Sequence, residues 1–175
     1  MSNSPVRKDL PNKHSAEIGR IVTRWSYLEW QLRQIAYSLL RISPKEGRLS
    51  VREPRVTDYL TMIEDLVQLK RLGVRVEWKK LRKHVDELAD HRNRLAHGVW
   101  LKQQGYRVPC LQLTKGVWQP EPGKAPIKAK IDPVSVPITV DDLRSVVNAI
   151  DSVIEYIDKV RMAIDVRLNS LSNVG

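Results

Sequence analysis

Arg92-Asn93-Arg94-Leu95-Ala96-His97-Gly98 is the stretch from which the rest of the chain can be read. It closes a run in which Trp78, Leu81, Val85, Leu88, Ala89, Leu95 and Ala96 fall on one arc when each residue is turned by about 100°, the pattern of an amphipathic helix over residues 76–97. Arg92 falls in the middle of that apolar arc. A permanently charged guanidinium in such a place has to meet an acid or a ligand, because an unpaired buried ion costs on the order of several kcal/mol. His97 is turned roughly 140° from Arg92 by the same geometry and shares a stripe with Asp86, Asp90 and Asn93. Gly98 reads as the helix C-cap, in the left-handed conformation that glycine adopts without steric cost.

Working outward, a first helix is expected over residues 15–41, where Ile18, Ile21, Val22, Trp25, Leu28, Leu32, Ile35, Ala36 and Leu39 recur at intervals of three and four. Glu29 lies inside that apolar arc, so one helix carries a misplaced acid and another a misplaced base. The economical expectation is that Glu29 meets Arg92. Two readings of the pair stay open: a core salt bridge that fixes the register of two helices, or an acid that orients Arg92 from behind and turns its remaining N–H groups toward a phosphate. Trp30 and Tyr37 form a flanking strip suited to core or to a dimer surface.

Residues 43–56, with Pro44, Gly47 and Pro54, read as a loop. A second helix follows over residues 57–72, with Thr57 as candidate N-cap, Leu60, Ile63, Leu66 and Val67 on its apolar face and Gly73 as its stop. After Gly98 the period shortens. Residues 99–101 and 108–113 alternate as strands around a turn at Gln104-Gly105, and a short strand is expected near residues 127–131. The last helix begins at a clear signal, Thr139-Val140-Asp141-Asp142, and carries a wide stripe of Leu143, Val146, Val147, Ile150, Val153, Ile154, Ile157, Val160 and Ile164 to about residue 168. The fold class is mainly α: an up-and-down four-helix bundle with a small β-hairpin or three-stranded flap between helices three and four. Residues 1–14 read as a flexible tail, residues 15–170 as a single helical domain and residues 99–137 as its β-rich insertion.

The 175 residues suit one domain, and a net charge of +10 from 30 lysines and arginines spread along the chain favours polyanionic partners. Cys110 is the only cysteine, which fits a reducing compartment and excludes an internal disulfide. No signal-type h-region and no membrane-length apolar run is present, so a soluble cytoplasmic protein with no membrane partner is expected. His84 and His91 are seven apart, whereas a two-histidine zinc helix needs them four apart. No metal and no cofactor are expected.

Arg92, the polar Asn93 and His97, late in the third expected helix, resemble the Arg-polar-x3-His signature of the HEPN superfamily, all-helical domains rich in RNA-cutting toxins and defence proteins. The resemblance covers residues 16–168, with residues 99–137 as an unmatched insertion. It implies a metal-independent endoribonuclease whose site is formed between two copies of the chain. His97 would be the general acid/base, Arg92 the phosphate and transition-state clamp, Asn93 the polar neighbour that positions them, Glu29 a supporting acid behind Arg92, and Arg94 a candidate phosphate contact. RNA, a second copy and an antitoxin protein are the implied partners. Val99 stands where some of those toxins carry a tyrosine that a partner nucleotidyltransferase modifies, which argues against that arrangement. The alternative is a non-catalytic HEPN-like module for RNA or nucleotide binding or for dimerisation.

Overall fold

The computed structural model describes residues 6–7, 9–50, 54–115 and 132–172. Its elements are α1 (Asn12–Leu40), α2 (Pro44–Ser50), α3 (Val56–Leu69), α4 (Trp78–His97), β1 (Val99–Leu101), β2 (Cys110–Lys115), β3 (Asp132–Pro137) and α5 (Val140–Ser172). The protein is mainly helical with a small antiparallel sheet, as its periodicities predict. The expected apolar stripes supply one continuous core: Ile21, Leu28, Leu32, Ile35 and Leu39 of α1 meet Leu60 and Ile63 of α3, Val85 of α4, and Leu143, Ile150, Ile157 and Ile164 of α5. Each such side chain taken fully out of water contributes about 1.5–3 kcal/mol.

α1 and α5 run side by side in the same direction. Arg144 Nε donates to Glu17 at 3.3 Å, Arg24 Nε lies 3.1 Å from Asp151, and Gln31 Nε2 donates to Asp158 at 2.7 Å. These positions advance by seven on both helices, the repeat with which two helices keep one seam facing a neighbour. The strict up-and-down alternation expected for the first and last helices is therefore corrected. α3 and α4 are antiparallel, since Glu64 pairs with Arg82 while Val56 lies beside Asp90 and Asn93.

α2 occupies part of the span expected to be loop. Ser43 and Glu46 form a capping box, Glu46 accepting from the Ser43 N–H at 2.7 Å and Ser43 Oγ accepting from the Glu46 N–H at 3.3 Å. Pro44 then sits at the first helical position, where its missing N–H is not needed. Gly47 lies beneath the Tyr37 ring, where a Cβ would collide with it. The α3 cap is likewise displaced: Arg55, not Thr57, precedes the helix, with its N–H donating to Asp58 at 2.9 Å.

In the sheet β2 is central, antiparallel to β1 and to β3. β3 lies at Asp132–Pro137, and the strand expected near residues 127–131 falls outside the described residues. Its Pro133 and Pro137 suit an edge strand, which proline tolerates because it has no ladder N–H to give. Part of the stretch read as a tail is built into the fold: Val6 bridges Leu101, Arg7 N–H donates to the Trp100 carbonyl at 2.8 Å, and His14, within α1, lies buried with Nε2 3.0 Å from the Ile138 carbonyl. No helix among the described residues is long and apolar enough to cross a membrane.

Candidate functional site

Arg92 sits where α1, α3 and α4 converge. Its Nη2 is 3.9 Å from Glu29 Oε1, its Nη1 donates to Asn93 Oδ1 at 2.8 Å, and its guanidinium carbon stands 5.8 Å from the Trp25 ring centroid. Glu29 is itself held by Trp25, whose indole N–H donates to Oε1 at 2.7 Å. One indole thus fixes the acid by its edge and faces the base with its ring, where a cation is favoured. Arg92 Nε is buried and has no hydrogen-bond partner.

The partnership predicted from the two misplaced charges is present, but its depth is not as expected. The Arg92 side chain is 24% exposed and that of Glu29 34%. Both stand at the wall of an open cleft of about 590 Å³, lined by Trp25, Glu29, Arg55, Thr57, Asp86, Asp90, Arg92 and Asn93. Solvent screening reduces such a pair to about 0–1 kcal/mol, well below a buried ion pair. Arg55 and Thr57 reach the cleft only through the packing of α3 on α1 and α4, and nothing local in the sequence marks them as site residues. Asp86 and Asp90 were legible as a stripe with Asn93, but not as cleft walls.

His97 is the last residue of α4, exposed and outside this cleft; Ala96, expected in the apolar arc, is exposed too, while Leu95 is buried. Within one chain the structure brings together Arg92, Asn93 and Glu29 and leaves His97 on a separate face. Arg94 is exposed and lies 3.7 Å from Asp90, one turn back.

Gly98 departs from its expected role. Its φ of −72° and ψ of 156° are extended, not left-handed. Glycine is needed for a close approach instead: a Cβ would strike the Arg94 carbonyl oxygen and Leu111 Cδ1, where α4 turns directly into β1. Trp100, two residues on, is buried and donates its indole N–H to the Leu95 carbonyl at 3.4 Å, which ties the sheet to the end of α4 and fixes the backbone on either side of His97.

Although the chain carries +10, the cleft holds three carboxylates, Glu29, Asp86 and Asp90, against two guanidiniums, Arg55 and Arg92. It offers carboxylate acceptors to N–H groups beside guanidiniums that can meet an anion. Among the described residues no group of three or more histidines, cysteines and acids is placed to hold a metal ion. No protein family, no curated protein and no solved structure matches the chain.

Proposed function

We propose that this protein is a metal-independent endoribonuclease of HEPN type, a four-helix bundle with an inserted β flap that acts in the cytoplasm as a toxin or defence protein. Its site is assembled from two copies of the chain. The observation that carries the reading is the setting of Arg92, a guanidinium held by Glu29, Trp25 and Asn93 with a buried Nε left unpartnered, five residues before an exposed histidine at a helix end.

In the proposed reaction His97 takes the proton of a ribose 2′-hydroxyl, the 2′-oxygen attacks the adjacent phosphorus, and the P–O5′ bond breaks. The leaving oxygen receives a proton from the second copy's imidazole, and the products are a 2′,3′-cyclic phosphate and a 5′-hydroxyl end. Imidazole suits both transfers near neutral pH. Arg92 supplies a permanent forked charge to the phosphorane oxygens, Asn93 fixes one arm of that fork, Glu29 sets its angle and Arg94 meets a neighbouring phosphate. Because Arg92 and His97 diverge by roughly 140° about the helix, a two-fold pairing of α4 is what joins them.

The acidic majority in the cleft favours a second reading, a non-catalytic RNA- or nucleotide-binding or dimerisation module in which Glu29 already neutralises Arg92. The test is cleavage of a structured RNA and of a tRNA with a chelator present. Under the nuclease reading cutting persists with chelator and is lost in His97→Ala and Arg92→Ala, leaving cyclic phosphate ends in the wild type. RNA retention without cutting in every form establishes the binding module. An antitoxin partner is tested by co-expression rescue of growth.

A further inference from the structure

On the side of α1 away from Arg92, Tyr27 and Trp30 stack on each other with ring centroids 5.6 Å apart, yet are 42% and 46% exposed. Two rigid aromatics stacked together and half exposed on a helix face are the composition of an interface anchor. One to three turns before Tyr27 on the same face the residues are small. Ala16, Gly19 and Thr23 border a groove of about 680 Å³ between α1 and α5, with Arg20, Arg24, Val147, Asn148 and Asp151 as its other walls.

The spacing is inverted in size about Thr23. Gly19 lies four residues before it and Tyr27 four after; Ala16 lies seven before and Trp30 seven after. All five fall within one sector of the helix at about 100° per residue. An antiparallel copy of α1 crossing at Thr23 therefore seats its Tyr27 over Gly19 and its Trp30 over Ala16, and receives the same in return, which is the self-complementarity that a two-fold interface requires. Arg20 stands on the groove's rim with its Nη1 3.2 Å from Glu17, beside the place an incoming ring would take, and a ring face there would attract the guanidinium. Four half-exposed aromatics and the surfaces that receive them bury about 600–1,000 Å², using about 150–250 Å² for each fully buried ring. That is below the roughly 1,200–2,000 Å² of stable specific interfaces and in the range of weak, transient ones.

We propose that this face of α1 is a self-association surface whose occupant is a second copy of the chain, in a weak, concentration-dependent pairing centred on Thr23. It lies roughly 140° around α1 from Trp25 and Glu29, so it is separate from the Arg92 cleft and from any pairing of α4.

At Gly19 an added Cβ meets nothing within 4 Å, so the side chain of Gly19→Trp starts into open space toward the groove. Light-scattering mass is expected to fall twofold in Gly19→Trp and in Trp30→Ala relative to the wild type at the same concentration, with unchanged circular dichroism, and to stay unchanged in His97→Ala. In parallel, Thr23→Cys in a Cys110→Ser background forms an intermolecular disulfide under mild oxidation, while Ser152→Cys on α5 does not. A wild-type mass equal to that of Gly19→Trp across concentrations up to about tenfold above the micromolar range, or equal crosslinking at both cysteines, overturns the proposal. A nuclease dimer through α4 would survive in Gly19→Trp and the wild type would then still be the heavier of the two, so the two readings fail separately.

Discussion

Gly98 is the residue at which the helix end, the sheet and the exposed histidine meet, and its role is steric. Because an added Cβ collides with backbone of α4 on one side and with buried Leu111 on the other, Gly98→Ala is expected to destabilise by about 1–3 kcal/mol, the usual range for overpacking. A urea titration measures it, and an unchanged midpoint means that the junction yields. A second residue-scale prediction concerns the start of α5. Asp142 accepts from both the Thr139 hydroxyl, at 2.6 Å, and the Thr139 N–H, at 2.8 Å, and the hydroxyl bond first, then the backbone bond, hold its carboxyl below the ordinary value. A folded-state pKa below the unfolded one stabilises fully above the unfolded value and is lost as pH falls through the folded value. Thr139→Ala is thus expected to cost about 0.5–2 kcal/mol near neutral pH. The gap to wild type should narrow once pH drops below about 3.9. Equal gaps at both ends of the titration rule out the charged cap as the cause.

At the scale of elements, the α1–α5 seam is held by three polar contacts of unequal burial. Gln31 is fully buried, its Nε2 donating to Asp158 and its Oε1 without a partner, whereas Asp158 reaches solvent. Removing the acceptor strands a buried amide, and Asp158→Ala is expected to cost about 1–3 kcal/mol. Gln31→Leu removes the unpartnered Oε1 together with the buried amide at similar volume, leaving Asp158 to solvent, and should be neutral or stabilising; thermal melts of the two variants decide it. A loss in Gln31→Leu as large as in Asp158→Ala shows that packing, not desolvation, governs the seam. The stripes that make α1 and α5 helices are plain in the sequence because apolar residues recur every three or four positions. Their parallel direction is not, since contacts between residues such as Gln31 and Asp158, 127 positions apart, leave no local mark. α2 is the reverse case: Ser43-Pro44-Lys45-Glu46 carries a capping box with proline at the first helical position, and its proline and glycine read more loudly as loop. Of the site, the attraction of Glu29 and Arg92 was legible because two charges stood on apolar arcs. Their place on an open wall was not, because an angular count cannot tell that the arc of α4 outruns the core it packs on.

For the whole molecule the decisive contrast is between a chain of +10 and a cleft with more acids than bases. Under the proposed reading, Arg92 at the cleft wall clamps the scissile phosphate while the neighbouring phosphates are met on the outer surface of α4, where Arg94, exposed and 3.7 Å from Asp90, is placed to meet one. Affinity for single-stranded RNA should fall linearly on a double-logarithmic plot against salt, with a slope near −0.7 for each phosphate neutralised. Arg94→Ala is expected to flatten that slope by about 0.7 and to weaken binding alike for unrelated sequences, as a backbone contact should. Asp90→Asn acts in the opposite sense: it frees Arg94 and lowers the negative charge of the cleft wall, so affinity at low salt should rise while the slope steepens. Filter binding of one RNA across a salt series, with wild type and the two variants, measures all three lines. Parallel lines for Arg94→Ala and wild type place the phosphate contacts elsewhere. A loss of affinity in Asp90→Asn instead makes the carboxylate an acceptor for the base edges of the RNA, and so turns the acidic wall from a barrier into a reader.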